Sequence, residues 1–131
     1  MNKAYQTYQN NSVNTASGGE LTLMLYNGCI KFVKQAMKDV DAKDFEAKNK
    51  NIQKAQNIVR ELLITLDSKV EISKQFQPLY EFMLTELTAA NIDNSREKLE
   101  GVLELVTEFR DTWKQVLLQH RKRQYSERPT V

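Results

Sequence analysis

Glycine and proline are scarce in this sequence, which has four glycines and two prolines among 131 residues. Soluble proteins usually contain about 12% of these two residue types together. Their scarcity leaves few positions for tight turns and favours long helices. A chain of this length is also close to the usual size of one domain with one hydrophobic core.

Several kinds of functional site are excluded by what the sequence lacks. One cysteine cannot form an intrachain disulfide, and one histidine excludes His-rich zinc or di-iron sites within one chain. No apolar run approaches the ~18 residues of a membrane span, and the N-terminus has no apolar region typical of a secretory signal. We therefore expect a soluble cytoplasmic protein without a metal or cofactor.

Residues suited to catalysis are also few. The single imidazole, His120, lies in a basic stretch, and we interpret it as a solvated residue near a helix end. Cys29 falls among apolar positions, where burial raises the pKa of a thiol and makes it inert. The pair Gly18-Gly19 lacks the preceding strand and further glycines of a phosphate-binding loop. We therefore predict that the protein is not an enzyme.

Charge alone identifies no partner, because 19 basic and 17 acidic residues give a net charge of +2. This excess is far smaller than that of a dedicated nucleic-acid-binding protein. Basic side chains nevertheless recur on one side of the first predicted helix and near the end of the chain. An RNA-binding regulatory protein, with strongly salt-dependent binding, is therefore the alternative function. It would use Lys31, Lys34, Lys38, Arg121, Lys122 and Arg123.

Apolar residues recur at helical spacing in four segments. Residues 18–41, 44–66, 73–91 and 95–124 are predicted to form helices, between a polar N-terminal arm over 1–17 and a tail over 125–131. Short connections require neighbouring helices to run antiparallel. The predicted fold is all-α, an antiparallel up-down-up-down four-helix bundle with a mobile N-terminal segment. The stripes predicted to face its core include Phe45, Ile72, Leu79 and Val116.

The ends of the predicted helices follow from capping residues. Ser17 and Glu20 have the spacing of a capping box at the start of the first helix, and Asp44 is the expected N-cap of the second. Pro78 complicates the third helix, because a proline inside a helix costs about 3 kcal/mol. We therefore prefer a helix start near Gln75, which would place Pro78 in the first turn.

The first predicted helix has an unusually wide apolar face. On a helical wheel its apolar side chains cover an arc of about 200°. An arc this wide predicts more apolar surface than the bundle can bury, and we expect the N-terminal segment or a partner to cover the excess. Further surplus apolar residues are Ile58 at the edge of the second helix and Phe82 and Leu84 beside the stripe of the third.

The first part of the chain carries a specific family signature. The stretch from Asn11 to Ile30, NSVNTASGGELTLMLYNGCI, closely resembles the N-terminal signature of the flagellar secretion chaperone family FliS, which escorts flagellin. The chain departs from the usual pattern at Gly18, where the family commonly has Pro, and at Asn27, where Asp is usual. Similar stretches cover nearly the whole chain at Lys3–Tyr5, Lys54–Val59, Leu79–Met83, Ala89–Asn91 and Asp111–Gln115.

This resemblance implies a chaperone with no catalytic residue and no cofactor. Its client would be the C-terminal segment of flagellin, disordered before assembly, which it would bind in apolar surface grooves. The resemblance also implies that the chaperone prevents premature polymerisation in the cytoplasm and delivers flagellin to the export gate of the flagellar type III apparatus. We expect no nucleic acid partner and no membrane insertion, and we leave open a weak homodimer in the absence of the client.

The resemblance further implies that the N-terminal segment folds over an apolar groove when no client is bound. Tyr5, Tyr8 and Val13 are the apolar residues of this otherwise polar segment, and we predict that they form the cover. The predicted groove residues are Leu21, Leu25, Ile58, Leu62, Phe82 and Met83.

Overall fold

The computed structural model describes residues 18–67 and 69–127. They form four α-helices joined by short connections: α1 (Gly18–Asp41), α2 (Phe45–Thr65), α3 (Glu71–Asp93) and α4 (Arg96–Glu127). Helices α1 and α3 each pack against both α2 and α4. This arrangement confirms the predicted all-α, antiparallel up-down-up-down four-helix bundle. The predicted mobile N-terminal segment lies outside the described residues.

Side-chain caps define the starts of α2 and α4. Asp44 caps α2 as predicted, because its carboxylate accepts a hydrogen bond from the Ala47 amide at 3.1 Å. The Ser95 hydroxyl oxygen accepts one from the Lys98 amide at 3.2 Å at the start of α4. Each cap satisfies an amide that has no acceptor within its own helix.

An ion pair joins the first turn of α1 to the C-terminal part of α4. Helix α1 is described from Gly18 onward, and Ser17, its predicted cap, lies outside the described residues. The Glu20 carboxylate accepts a hydrogen bond from Arg121 at 2.6 Å. Helix α4 continues to Glu127, past the predicted end at residue 124, so the predicted tail begins within the helix.

The predicted late start of α3 is wrong. This helix begins at Glu71 and contains Pro78 in its interior. A proline at this position removes the amide that would bond to the Lys74 carbonyl, but both residues are exposed, so water can satisfy that carbonyl. Tertiary packing stabilises the first turns, because Ser73 is buried and Phe76 packs against the core.

The core is formed by the inward stripes of all four helices. Helix α1 contributes the most buried apolar residues, because it lies between α2 and α4 and faces both. Most of its wide apolar arc is therefore covered inside the bundle, which corrects the predicted surplus on this helix. Its buried apolar residues are Leu25, Tyr26, Cys29, Ile30, Val33, Ala36 and Met37.

The exposed apolar surface lies mainly on α3 and α4. Phe45, Ile72, Leu79 and Val116 were predicted to be buried, but they are 38–50% exposed. Phe82 is 52% exposed. Helical periodicity shows which face of a helix is apolar, but it does not show how closely the neighbouring helix approaches that face. Six of the nine exposed large apolar residues in the described part of the chain therefore lie on α3 and α4, two lie on α2, and none lies on α1.

A buried lysine joins α2 to the end of α3. Lys48 is only 5% exposed, and its ammonium group donates to the Asn91 carbonyl oxygen at 2.7 Å and to the Asn94 side-chain oxygen. Asn94 has φ 52°, a left-handed conformation that Asn tolerates better than most residues. The lysine thus supplies both hydrogen bonds and a positive charge at the carboxyl end of α3, where the helix dipole favours a cation.

Replacing Lys48 with Ala should lower the free energy of unfolding by about 1–3 kcal/mol, because two acceptors lose a buried donor. Chemical denaturation would measure the loss. Lys50→Ala is a suitable control, since Lys50 makes only an exposed pair with Glu46 at 3.6 Å and its removal should cost no more than about 0.5 kcal/mol. Equal losses in the two variants would contradict this role of Lys48.

The single cysteine should be unreactive in the folded protein. Cys29 is fully buried in α1, and burial raises the pKa of its thiol from 9.0 to about 12. Raising the pH from about 8 to about 10 forms thiolate in an unfolded chain and accelerates its reaction with a disulfide reagent such as DTNB. The native protein should react far more slowly than a urea-unfolded sample at both pH values. Comparable native and unfolded rates would show that the thiol is accessible.

Candidate functional site: two grooves between α3 and α4

An apolar groove opens between α3 and α4, with a volume of about 460 Å³. Its exposed wall residues include Ile72 and Leu79 on α3 and Val116 on α4. We call this depression the apolar groove. Its remaining lining residues are Tyr26, Phe76, Leu105, Glu108, Phe109, Thr112 and Trp113.

Four aromatic rings pack together at the floor of the apolar groove, and three of them line it: Tyr26, Phe76 and Phe109. Phe109 lies at their centre, and its ring centroid is 5.2 Å from Phe76, 5.5 Å from Tyr80 and 5.8 Å from Tyr26. Aromatic rings attract one another at these separations. Since the four rings come from α1, α3 and α4, their packing gives the groove a floor held by three helices.

Two buried tyrosine hydroxyls lie beneath this floor. The Tyr26 and Tyr80 oxygens are 2.5 Å apart, and both side chains are at most 2% exposed. Burial raises the pKa of both phenols, and the hydrogen bond between the two hydroxyls lowers the pKa of Tyr26 in part. Both hydroxyls therefore stay protonated and uncharged at neutral pH, which suits a floor that binds apolar groups.

The start of α1 lies at one end of the apolar groove. The indole N–H of Trp113, a groove residue, donates to the Gly19 carbonyl oxygen at 2.7 Å. A β-carbon at Gly19 would lie 2.6 Å from a methyl group of Leu117, so glycine allows a close approach of α1 to α4. A further depression at this end, which we call the α1-end depression, shares Trp113 and Val116 with the apolar groove and also contains Leu117, His120 and Arg121.

A second groove, of about 550 Å³, lies between α3 and α4 beside the apolar groove. It shares Leu105 and Glu108 with the apolar groove, and Phe82 is its exposed aromatic residue. We call it the acidic-walled groove. Its other lining residues are Glu86, Ser95, Glu97, Lys98, Gly101 and Glu104.

The structure separates the predicted groove residues into two sets. Phe82 is accessible in the acidic-walled groove, and Leu21 is half-buried against the core. The other four side chains are at most 2% exposed, because they lie on the inward stripes of the bundle; they are Leu25, Ile58, Leu62 and Met83. These four line neither groove in this structure, and any part that they play in client binding stays a prediction. Tyr5, Tyr8 and Val13 lie outside the described residues.

Sequence reasoning missed most of the residues that line the apolar groove. Ile72, Leu79 and Val116 were assigned to the stripes of the core, and two of the four packed rings, Phe76 and Tyr80, come from neighbouring turns of α3. The available signal was the concentration of aromatic residues on the third and fourth predicted helices. These aromatic residues line a groove because the packing of α3 against α4 leaves Phe76 and Phe109 only partly buried.

Neither His120 nor Cys29 lines one of the two grooves between α3 and α4. His120 is exposed and Cys29 is fully buried. Within residues 18–67 and 69–127, no group of three or more His, Cys, Asp or Glu side chains could hold a metal ion. Over the same ranges, no helix combines the length and apolar character needed to cross a membrane.

The basic residues of the alternative RNA-binding function are spread along α1 and α4. Lys34 and Lys38 are exposed on α1, whereas Arg121 pairs with Glu20 near the other end of that helix. Lys31 and Lys38 lie about 17 and 27 Å from Glu20 along α1, at ~1.5 Å per residue. The two basic sets are therefore widely separated in the fold.

Comparison with known proteins identifies the family. The model of the family described as "Flagellar protein FliS" matches residues 1–120. The chain is 49% identical over 118 residues to the flagellar secretion chaperone FliS of Bacillus subtilis, covering 90% of this chain and 89% of that protein. It is 31% identical over 110 residues to the protein of the same name from Escherichia coli, covering 82% and 81% of the two chains.

The fold is also found among solved structures. A crystal structure described as that of a flagellar chaperone from bacteria superposes with a TM-score of 0.74 and covers 89% of this chain and 97% of that one. The identity is 15%, so this likeness supports the fold alone. Family membership rests on the family model and the Bacillus relative, and it implies a chaperone and not an enzyme. The chain therefore belongs to the FliS family of flagellar secretion chaperones, as the sequence resemblance predicted.

Proposed function

We propose that this chain is a cytoplasmic export chaperone that binds the C-terminal segment of flagellin in the apolar groove. By holding this segment it prevents premature polymerisation, and it delivers the subunit to the flagellar export apparatus. The observation that carries the proposal is an accessible apolar groove in a member of a flagellar chaperone family. Three wall residues, each at least 38% exposed, offer apolar contacts to a client.

The apolar lining of this groove suits the apolar face of an amphipathic helix. Such a helix places apolar side chains at i, i+3, i+4 and i+7 along one face. Ile72 and Leu79 on one wall and Val116 on the other would flank these side chains, while the ring of Phe109 would lie beneath them. A disordered segment that becomes helical in the groove would thus leave its polar face in water.

The free-energy cost of ordering the client sets the number of apolar side chains, or anchors, that it must bury in the groove. Burying one large aliphatic side chain gains about 1.5–3 kcal/mol, whereas ordering the client costs about 2–5 kcal/mol and association itself costs more. A single anchor would not hold the client. About three or four anchors give useful affinity and still allow release at the export apparatus.

Val116→Asp should weaken binding of the flagellin C-terminal segment at least about tenfold, because a carboxylate in the groove is desolvated when the client binds. The experiment is a calorimetric titration with the segment from the same organism, while circular dichroism records the helix gained by the peptide. Val116 is exposed, so the variant should still fold. Light scattering would report whether the wild-type protein delays polymerisation of full-length flagellin.

Leu118→Asp provides the matched control. Leu118 lies on the same helix and is 48% exposed against 45% for Val116, but it lines none of the three depressions described above. Its substitution should leave client affinity within about twofold of wild type. Equal losses in the two variants would remove the apolar groove as the client site, and no binding by the wild-type protein would overturn the proposed client. Alanine at Leu25 or Met83 is less suitable, because a large-to-small change in the core costs about 2–5 kcal/mol of stability.

We also propose that the N-terminal segment covers the apolar groove until the client displaces it. The described chain begins at Gly18, next to Gly19, whose carbonyl accepts the hydrogen bond from the groove residue Trp113. The preceding segment therefore joins α1 at the end of the groove, and Tyr5 and Tyr8 supply apolar rings for covering it.

Deleting residues 2–10 should tighten client binding and increase the fluorescence of a dye that binds exposed apolar surface, because the competing cover is removed. A Tyr5→Ser/Tyr8→Ser variant should reproduce both effects. A Gln6→Ser/Gln9→Ser variant, which keeps both rings, should reproduce neither. Unchanged affinity and unchanged dye fluorescence after the deletion would rule out the cover.

A further inference from the structure

The acidic-walled groove has an open apolar floor. Phe82 is 52% exposed, and Leu105 lies on the opposite helix of the same groove. A β-carbon built at Gly101 would meet no atom within 4 Å, so the glycine leaves space open to an incoming side chain. This floor can therefore accept an apolar anchor from another molecule.

The rim of this groove carries an uncompensated negative charge. Glu86 lies on α3, and three further glutamates lie along α4. Within the described ranges these four carboxylates make no ion pair, whereas the one lysine of the groove, Lys98, is engaged by Asp93 at 3.1 Å. The glutamates on α4 are Glu97, Glu104 and Glu108.

We infer that the acidic-walled groove is a second docking site, for an amphipathic helix of a partner protein with an apolar anchor flanked by Lys or Arg. The anchor packs on Phe82 and Leu105, and the flanking cations pair with the glutamates of the two walls. Charge complementarity selects this partner over an uncharged helix, because like charges are disfavoured and opposite charges accelerate association. This site goes beyond the proposed client groove, whose lining includes one glutamate.

The two grooves overlap only in part. They share only Leu105 and Glu108, so two helices would lie end to end along the α3–α4 pair. A partner in the acidic-walled groove could therefore recognise the chaperone while the apolar groove holds its client.

The test uses the full chain and a fluorescein-labelled synthetic peptide of about 18 residues, or five helical turns. This Lys peptide has leucines along one face and lysines beside them, and a Glu peptide has glutamate at each lysine position. The Lys peptide should bind at least about tenfold more tightly than the Glu peptide. Its affinity should fall several-fold between about 50 and about 300 mM NaCl. Amide shifts in NMR spectra should be largest around Gly101, Leu105 and Glu86.

A charge-matched pair of variants tests the walls. Glu86→Lys/Glu104→Lys reverses one carboxylate on each wall and should weaken binding of the Lys peptide at least about tenfold. Glu46→Lys/Glu71→Lys changes the net charge equally at exposed positions paired with Lys50 and Lys74, and it should weaken binding less than about threefold. Circular dichroism and thermal unfolding would verify that both variants fold.

The inference would be overturned by equal losses in the two double variants, by amide shifts confined to the apolar groove, or by failure of the Lys peptide to bind. Displacement of the Lys peptide by a saturating concentration of the flagellin segment would also overturn it, because the acidic-walled groove would then be part of the binding site of the client. Binding of the Lys peptide by a protein that fails to bind the flagellin segment would contradict only the proposed function. The two proposals can therefore fail separately.

Discussion

Burial of α1 is the constraint on which the rest of the structure depends. Its apolar side chains occupy more than half of the helix circumference, so a single neighbouring helix cannot remove them from water. The fold places α2 on one side and α4 on the other, and side chains such as Leu25, Cys29 and Val33 become fully buried. This arrangement leaves α3 to close the bundle by packing against α2 and α4.

Helix α3 closes the bundle only in part. Its inward residues Tyr80, Met83 and Leu87 are buried, but Leu79 and Phe82 remain exposed. The same helix thus contributes both to the core and to the grooves. Burial of α1 and α2 supplies much of the apolar core, and the bundle can therefore leave apolar surface exposed between α3 and α4. That surface is what a chaperone needs to hold an apolar segment of another protein.

Sequence reasoning succeeded where one helix, or one short segment, contains all the necessary information. Asp44 caps α2 because its carboxylate accepts a hydrogen bond from an amide only three residues further along the chain. Cys29 is buried because it lies in the middle of an apolar arc. It failed at Pro78, where exposure of the affected carbonyl and packing of Phe76 outweigh the local penalty. It also missed Lys48, whose hydrogen-bond acceptors lie more than forty residues away in the chain.

The sequence by itself determined four helices in up-down order, a wide apolar face on the first, and membership of a chaperone family through a contiguous signature. Only the tertiary structure decided that Leu25 and Met83 belong to the core while Ile72, Leu79 and Val116 line a groove. The physical reason is that periodicity is a property of one helix, whereas a groove is a gap between two. The width of that gap depends on how all four helices pack, and no local pattern of residues encodes it.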